Sequence, residues 1–192
     1  MTIGSRVVVG ISGASGAMLG IRILELLTAA GCETHLVVST SAERTIAHEI
    51  GPDALHQARM VATHCHAIEN VGATIASGSF RTAGMVVAPC SMRTLSAIAS
   101  SAADNLLVRA ADVHLKERRR LVLLTRETPL HLGHIRMMAL ATEMGAIIAP
   151  PVPAYYRRPQ TVMDIIDHTA RRAIDLLNLD LHALAEPWDG LR

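Results

Sequence analysis

An α/β fold built on a parallel sheet is predicted by three observations. The chain opens as strand, glycine-rich loop, helix, strand, helix, an order that argues for parallel strands joined by crossover helices. Two later apolar runs, Gly84 to Pro89 and Leu121 to Leu130, are each followed by helical patterns, which extends the alternation. Half of the 192 residues are hydrophobic, enough for one full core, and the size favours a single domain, 1–192, over two.

Arg6 to Ile11 reads as the first strand. Ala17 to Ala29 reads as a helix because Leu19, Ile23, Leu26 and Leu27 recur at helical spacing, and Gly31 ends it. Glu33 to Ser39 is a second short strand and Ser41 to Ile50 a second helix. Gly51 to Phe80 has poor periodicity and ends in a serine and glycine cluster, so it reads as a loop-rich crossing. Residues 90–120 read as two successive helices broken near Ser101, and His131 to Met144 is helical. "AIIAPPVPAYY" is a strand leaving the sheet through prolines, Thr161 to Leu177 is the last helix, and the tail 178–192 reads as peripheral.

Charge and composition narrow the function classes. Eighteen basic residues against seventeen acidic leave +1, so no field favours nucleic acid or an anionic membrane surface, and the expected partner is a small molecule. Cys32, Cys65 and Cys90 are an odd count without framework spacing, and no charged-then-apolar leader opens the chain; a cytoplasmic protein is expected. No apolar run approaches the roughly 20 residues of a spanning helix, so no membrane span is expected. Aromatics are confined to Phe80, Tyr155, Tyr156 and Trp188, and Lys116 is the single lysine among seventeen arginines.

A parallel sheet binds ligands beyond the carboxyl ends of its strands, which directs attention to the loops there. The first, Gly10-Ile-Ser-Gly13-Ala-Ser15-Gly16, opens a helix whose free N–H groups and positive dipole end suit a phosphate. Its spacing is G-x-x-G-x-x-G, and the second strand ends in Ser39 and Thr40 where a dinucleotide site needs an acid. A NAD site is therefore disfavoured. A mononucleotide, lined by Ser12, Ser15 and Ser39, and a glycine turn kept only for close packing both remain open.

"APCSMRT" sets a thiol, a hydroxyl and Arg93 at a helix start; Cys90 is a nucleophile candidate there, against the commoner buried thiol. Lys116 suits a compact point charge for a phosphate, whereas Arg118 to Arg120 read as a solvated face. Glu127, beside Arg126 at a strand's carboxyl end, is either a general acid or a salt-bridged loop residue. Tyr155 and Tyr156 beside Arg157 and Arg158 form a phosphate clamp or an interface anchor. His64-Cys65-His66 invites a metal, but adjacent ligands on a loop converge poorly and no fourth ligand is evident; His131 and His134 receive the same discount. No aspartate-rich cluster for magnesium diphosphate is present, so no metal is expected.

"GISGASGA", "ASGSF.T.GMVVAPCSM.TL", "RAADV.LKERR.LVLL.RETPLHLGH" and "GAI..PPVPA.Y.RPQT", in this order between about Val7 and Trp188, resemble the flavin prenyltransferase (UbiX) family. The resemblance implies a flavodoxin-like three-layer α/β sandwich, FMN binding without metal, and a homo-oligomer, with a dodecamer the expected assembly. It implies transfer of the dimethylallyl group of dimethylallyl monophosphate to N5 and C6 of reduced FMN. The prenylated flavin would then pass to a UbiD-type decarboxylase.

By the same resemblance FMN contacts fall on Gly13, Ala14, Ser15, Ser39, Ser91, Met92, Arg93, Thr94 and Arg126. Contacts with the prenyl donor fall on Arg109, Lys116, Tyr156 and Arg172, with Lys116 and Arg109 reaching a site in a neighbouring subunit; Trp188 matches the family's tail tryptophan. Glu49, acting with Ser15, and Glu127 match its acid and base. Thr40 stands where relatives carry a basic residue, and Gly51-Pro52 and Pro187 also depart from the pattern. Two alternatives are an FMN-dependent decarboxylase of the phosphopantothenoylcysteine decarboxylase kind and a non-catalytic flavin carrier. The loop Cys90-Ser-Met-Arg-Thr94 lacks the Asn of the first, and a carrier has no need of Glu49, Lys116, Glu127, Tyr156 and Arg172 together.

Overall fold

The computed structural model describes residues 5–188 and Gly190. Strand β1 (Arg6–Ile11) leads into α1 (Ala17–Ala29), β2 (Glu33–Val38) into α2 (Thr40–Glu49), and α3 (Ala54–Val61) into β3 (His64–His66). The second half comprises β4 (Gly84–Cys90), α4 (Met92–Ala99), α5 (Leu106–Lys116), β5 (Arg120–Thr125), α6 (Leu132–Glu143), β6 (Ile147–Ile148) and α7 (Val162–Asp175). All pairings are parallel, in the order β3-β2-β1-β4-β5-β6. The chain therefore winds outward from β1 to β3, returns to β4 and winds outward the other way. This reversal opens a crevice at the carboxyl ends of β1 and β4.

Burial on both faces explains why the strands are continuous apolar runs. Val7, Val8 and Val9 are all fully buried. Alternate residues serve opposite layers: Val7, Val9, Ile11, Val86 and Val122 pack with α1, α2, α3 and α7. Val8, Met85, Val87, Leu121 and Leu123 pack with α4, α5 and α6. Each such side chain contributes about 1.5–3 kcal/mol when fully buried. Helix α1 lies unusually close to the sheet, because a Cβ added at Gly20 would stand 2.2 Å from the Ala88 carbonyl oxygen. Gly13 likewise brings the first loop against α2, with 2.4 Å from a built Cβ to the Ser41 Cβ.

The crossing 51–80 departs from the sequence expectation, since it holds α3 and edge strand β3. The buried residues of α3 are the small Ala54 and Ala58, and β3 is three residues long, so neither leaves a strong periodic signal. Helix α6 forms where expected, yet only Ala141 is buried in it, while Leu132, Ile135 and Leu140 are exposed. The sequence 178–188 is tied to α7, the Asp175 carboxylate accepting from Leu184 N (2.8 Å) and Ala185 N (3.1 Å). No helix among the described residues is long and apolar enough to cross a membrane.

Candidate active site

Three strand ends and three helix starts meet at the crevice. Ser12, buried at the end of β1, donates to the Pro89 carbonyl (2.8 Å) and accepts from Ser91 N (2.7 Å), joining the ends of β1 and β4. Ser39 caps α2 by accepting from Ala42 N. Ser91 caps α4, accepting from Thr94 N and donating to Thr94 Oγ1. Beyond β5, Arg126 N donates to the Cys90 carbonyl, which brings Arg126 beside the end of β4.

The start of α1 is capped from a distance. Gly16, with φ of 102°, has no side chain to satisfy the first N–H groups, and Glu49 does so instead. Its Oε2 accepts from Gly16 N and Ala17 N, both at 2.9 Å. This corrects the expectation of free N–H groups for a phosphate at α1: a carboxylate already takes the favourable anion position. Burial alone would raise the Glu49 pKa. The Ser15 hydroxyl, the Ala17 and Gly16 N–H groups and the Arg126 charge outweigh it and hold the carboxyl below its ordinary range. Glu49 is thus an ionised carboxylate with a serine hydroxyl on it, the form a proton acceptor needs.

Cys90 is fully buried and desolvation pushes its thiol up to about 12, so the nucleophile reading is corrected: burial defeats the helix start. Beside it, Thr125 is buried with Oγ1 unpartnered among the described residues. Sequence reading did not single out Thr125, since a threonine ending an apolar strand carries no signal. The starts of α2 and α4, this orphaned hydroxyl and the Arg126 cation together fit an anionic, hydrogen-bonding ligand such as FMN. Ala14 and Ser15 lie on the crevice loop, whereas the Met92 side chain is buried and Arg93 turns away to Asp104 at 3.2 Å.

The residues expected at the prenyl donor fall into two groups. Tyr156, Arg172 and Glu127 are exposed, and Tyr156 stands edge-on to Trp188 with ring centroids 5.0 Å apart. Glu127 makes no ion pair with Arg126 among the described residues; its Oε1 accepts from Thr128 N. Arg109 is held by Asp112 at 2.8 Å and by the Ala76 carbonyl. Lys116 pairs with Glu117 at 2.7 Å, at the end of α5 that feeds the start of β5. Since the six-residue β1 spans on the order of 20 Å, Lys116 and Glu49 occupy opposite edges of one protomer.

The Flavoprotein family model matches residues 1–171. A flavin prenyltransferase UbiX from Thauera aromatica is 57% identical over 185 residues, spanning 96% of this chain and 94% of that protein. The chain belongs to the UbiX family of flavin prenyltransferases. The crystal structure of AnUbiX (PadA1) in complex with FMN and dimethylallyl pyrophosphate superposes on this UbiX-family chain with a TM-score of 0.94 at 48% identity, covering 98% of this chain and 100% of that one. A dodecameric FMN-dependent UbiX-like decarboxylase from Escherichia coli O157:H7 follows at 0.90 and 44%, covering 97% and 100%. A PPC decarboxylase mutant complexed with pantothenoylaminoethenethiol, 20% identical at a TM-score of 0.56, shares the fold alone.

Proposed function

We infer that this chain joins the dimethylallyl group of dimethylallyl monophosphate to N5 and C6 of reduced FMN. The observation that carries the reading is the ionised Glu49 carboxylate, held by Ser15, Gly16 and Ala17 under the Arg126 charge at the switch point. Reduced FMN supplies the electron-rich centre that accepts the allyl fragment. Gly13, Ala14, Ser15, Ser39, Ser91 to Thr94 and Arg126 hold it, the backbone rather than the side chain serving at Met92 and Arg93.

Departure of phosphate from an allylic carbon leaves negative charge on the leaving group, so cations and a proton donor must gather at one end. Arg172 and Tyr156 supply the charge and hydroxyl, and Glu127 gives a proton to the leaving phosphate oxygen. Ring closure at C6 releases a proton, which Glu49 takes with Ser15 as its relay. Lys116 and Arg109 come from another copy of the chain, because within one protomer Lys116 lies at the far edge of the sheet. Exposed Leu132, Ile135, Val152, Tyr155 and Val162 supply an apolar surface for such copies to cover, and a dodecamer is the assembly this reading expects. Covering that surface also dries the pocket around the cationic fragment.

The product passes to a UbiD-type decarboxylase, and the three free thiols suit the reducing cytoplasm in which this exchange takes place. The test is anaerobic incubation with reduced FMN and dimethylallyl monophosphate, followed by mass spectrometry of the released flavin. A mass increase of one prenyl unit is expected; an unchanged flavin returns the chain to the carrier reading.

A further inference from the structure

At the opposite edge of the sheet, three side chains that the flavin chemistry does not use converge. Glu33 opens β2, His35 lies two residues on, and His64 opens β3, where β2 and β3 pair with His35 opposite His64. The alternation of a strand puts Glu33, His35, His64 and His66 on one face and sends Cys65 to the other. What reads as three adjacent loop ligands is thus an edge strand whose alternate histidines meet β2. The neighbouring strand offers the further donors that His64-Cys65-His66 lacks by itself.

The spacing of the donor atoms is that of a coordination sphere. Glu33 Oε1 lies 3.2 Å from His35 Nε2 and 3.4 Å from His64 Nε2. Bonds of about 2.0–2.1 Å at tetrahedral angles place neighbouring ligand atoms roughly 3.3–3.4 Å apart. One donor atom from each of the three residues lies within 4.8 Å of the other two. The surrounding groups hold these donors in place. Arg6 Nε donates to Glu33 Oε2 at 3.1 Å, which leaves Oε1 as a single donor oxygen. Without a cation His35 Nε2 donates to Glu33 Oε1; moving the ring proton to Nδ1, where His66 Nε2 accepts it across 3.0 Å, frees the His35 Nε2 lone pair for a metal. Phe80 stands edge-on over His35 at 5.2 Å and shields it from water. His64, half exposed, leaves an entry path and an open coordination position.

We propose that Glu33, His35 and His64 form a binding site for one divalent transition-metal cation, of the zinc or nickel class, that clamps edge strand β3 to β2. Two imidazoles with one carboxylate select such a cation over magnesium or calcium, which take oxygen ligands. The site is separate from prenyl transfer. Glu33 pairs with Arg6 at the amino end of β1, and the crevice lies beyond the carboxyl end.

The probe is zinc chloride added to the intact, chelator-stripped protein, followed by calorimetry and a thermal melt, with cobalt(II) absorption reporting the geometry. One zinc per chain, a Tm that rises with zinc concentration, and visible cobalt bands of low-symmetry coordination are expected. His64→Ala removes an exposed ligand, so it should fold, and is expected to weaken zinc at least tenfold and abolish the rise in Tm. His131→Ala, at the other histidine pair, is expected to change neither. Absence of stoichiometric zinc binding, or binding unaltered in His64→Ala, would overturn the proposal.

Discussion

The two edges of the sheet solve the placement of polar groups in different ways. At the carboxyl edge Ser12, Ser39, Ser91 and Glu49 are each bound to backbone N–H or carbonyl groups. At the amino edge the charges are largely matched side chain to side chain: Lys116 with Glu117, and Arg6 with Glu33. Backbone-held groups cannot drift without unwinding a helix start, so the carboxyl edge is preorganised for a ligand. The more exposed of these, Lys116 with Glu117, is a weak pair that exchanges partners at little cost, whereas Arg6 with Glu33 is part-buried. Lys116 is therefore free to release Glu117, as the role proposed for it on a neighbouring copy requires, whereas Glu49 is anchored to backbone.

The largest expected effect falls on the preorganised edge. Glu49→Gln removes the proton acceptor and is expected to slow single-turnover formation of prenylated flavin by about 10²–10⁴-fold, read by mass spectrometry, with FMN still bound. Unchanged turnover would show that the carboxylate only caps α1. Glu127→Gln is expected to retain FMN and slow phosphate release by about 10²-fold, followed with a phosphate assay. The division of labour between the edges is tested by mixing: Lys116→Ala and Glu49→Gln chains, each impaired alone, should recover activity when co-assembled. No recovery would place Lys116 outside a neighbour's site.

One buried group at the amino edge should show itself in stability rather than turnover. His114, buried on α5, donates through Nδ1 to the Ala110 carbonyl and accepts at Nε2 from Thr82. Burial holds its pKa down at about 4, against 6.5 for the ordinary imidazole. Between these values the unfolded chain takes up the proton and the folded chain does not. Stability is therefore unaffected by this group above about pH 6.5 and falls as pH drops from there toward 4, by about 3 kcal/mol in full. Urea unfolding at pH 7 and pH 5 should show this slope, and it should be smaller in His114→Gln. The smallest effect is expected at Arg93→Ala, which removes only an exposed pair with Asp104 and should shift stability by less than about 0.5 kcal/mol. FMN affinity measured by fluorescence should stay within about threefold, and a larger loss would return the Arg93 side chain to the flavin site.

Legibility followed periodicity. Helices α1 and α5 were readable because leucine, isoleucine and valine recur along one side, whereas α3 buries two alanines and β3 presents two histidines and a cysteine. The site divided likewise. Serines at strand ends mark themselves, as Ser, Thr, Asp and Asn are the preferred helix caps. Glu49, ending a polar helix 33 residues after Gly16, carries no local mark, and only the family resemblance pointed to it. Thr125 had no mark of either kind.

The amino-acid sequence by itself determined the alternation of strands and helices, the parallel sheet and the glycines that let α1 and the first loop approach their neighbours. These depend on local pattern and on side-chain size, which are written residue by residue. The tertiary structure alone decided that Glu49 fills the start of α1, that Cys90 is inert, that Lys116 stands at the edge away from Glu49, and that Glu33, His35 and His64 converge. Each of these is a meeting of groups far apart in the chain, and which strands become neighbours is settled by winding order, a property no single stretch of residues contains.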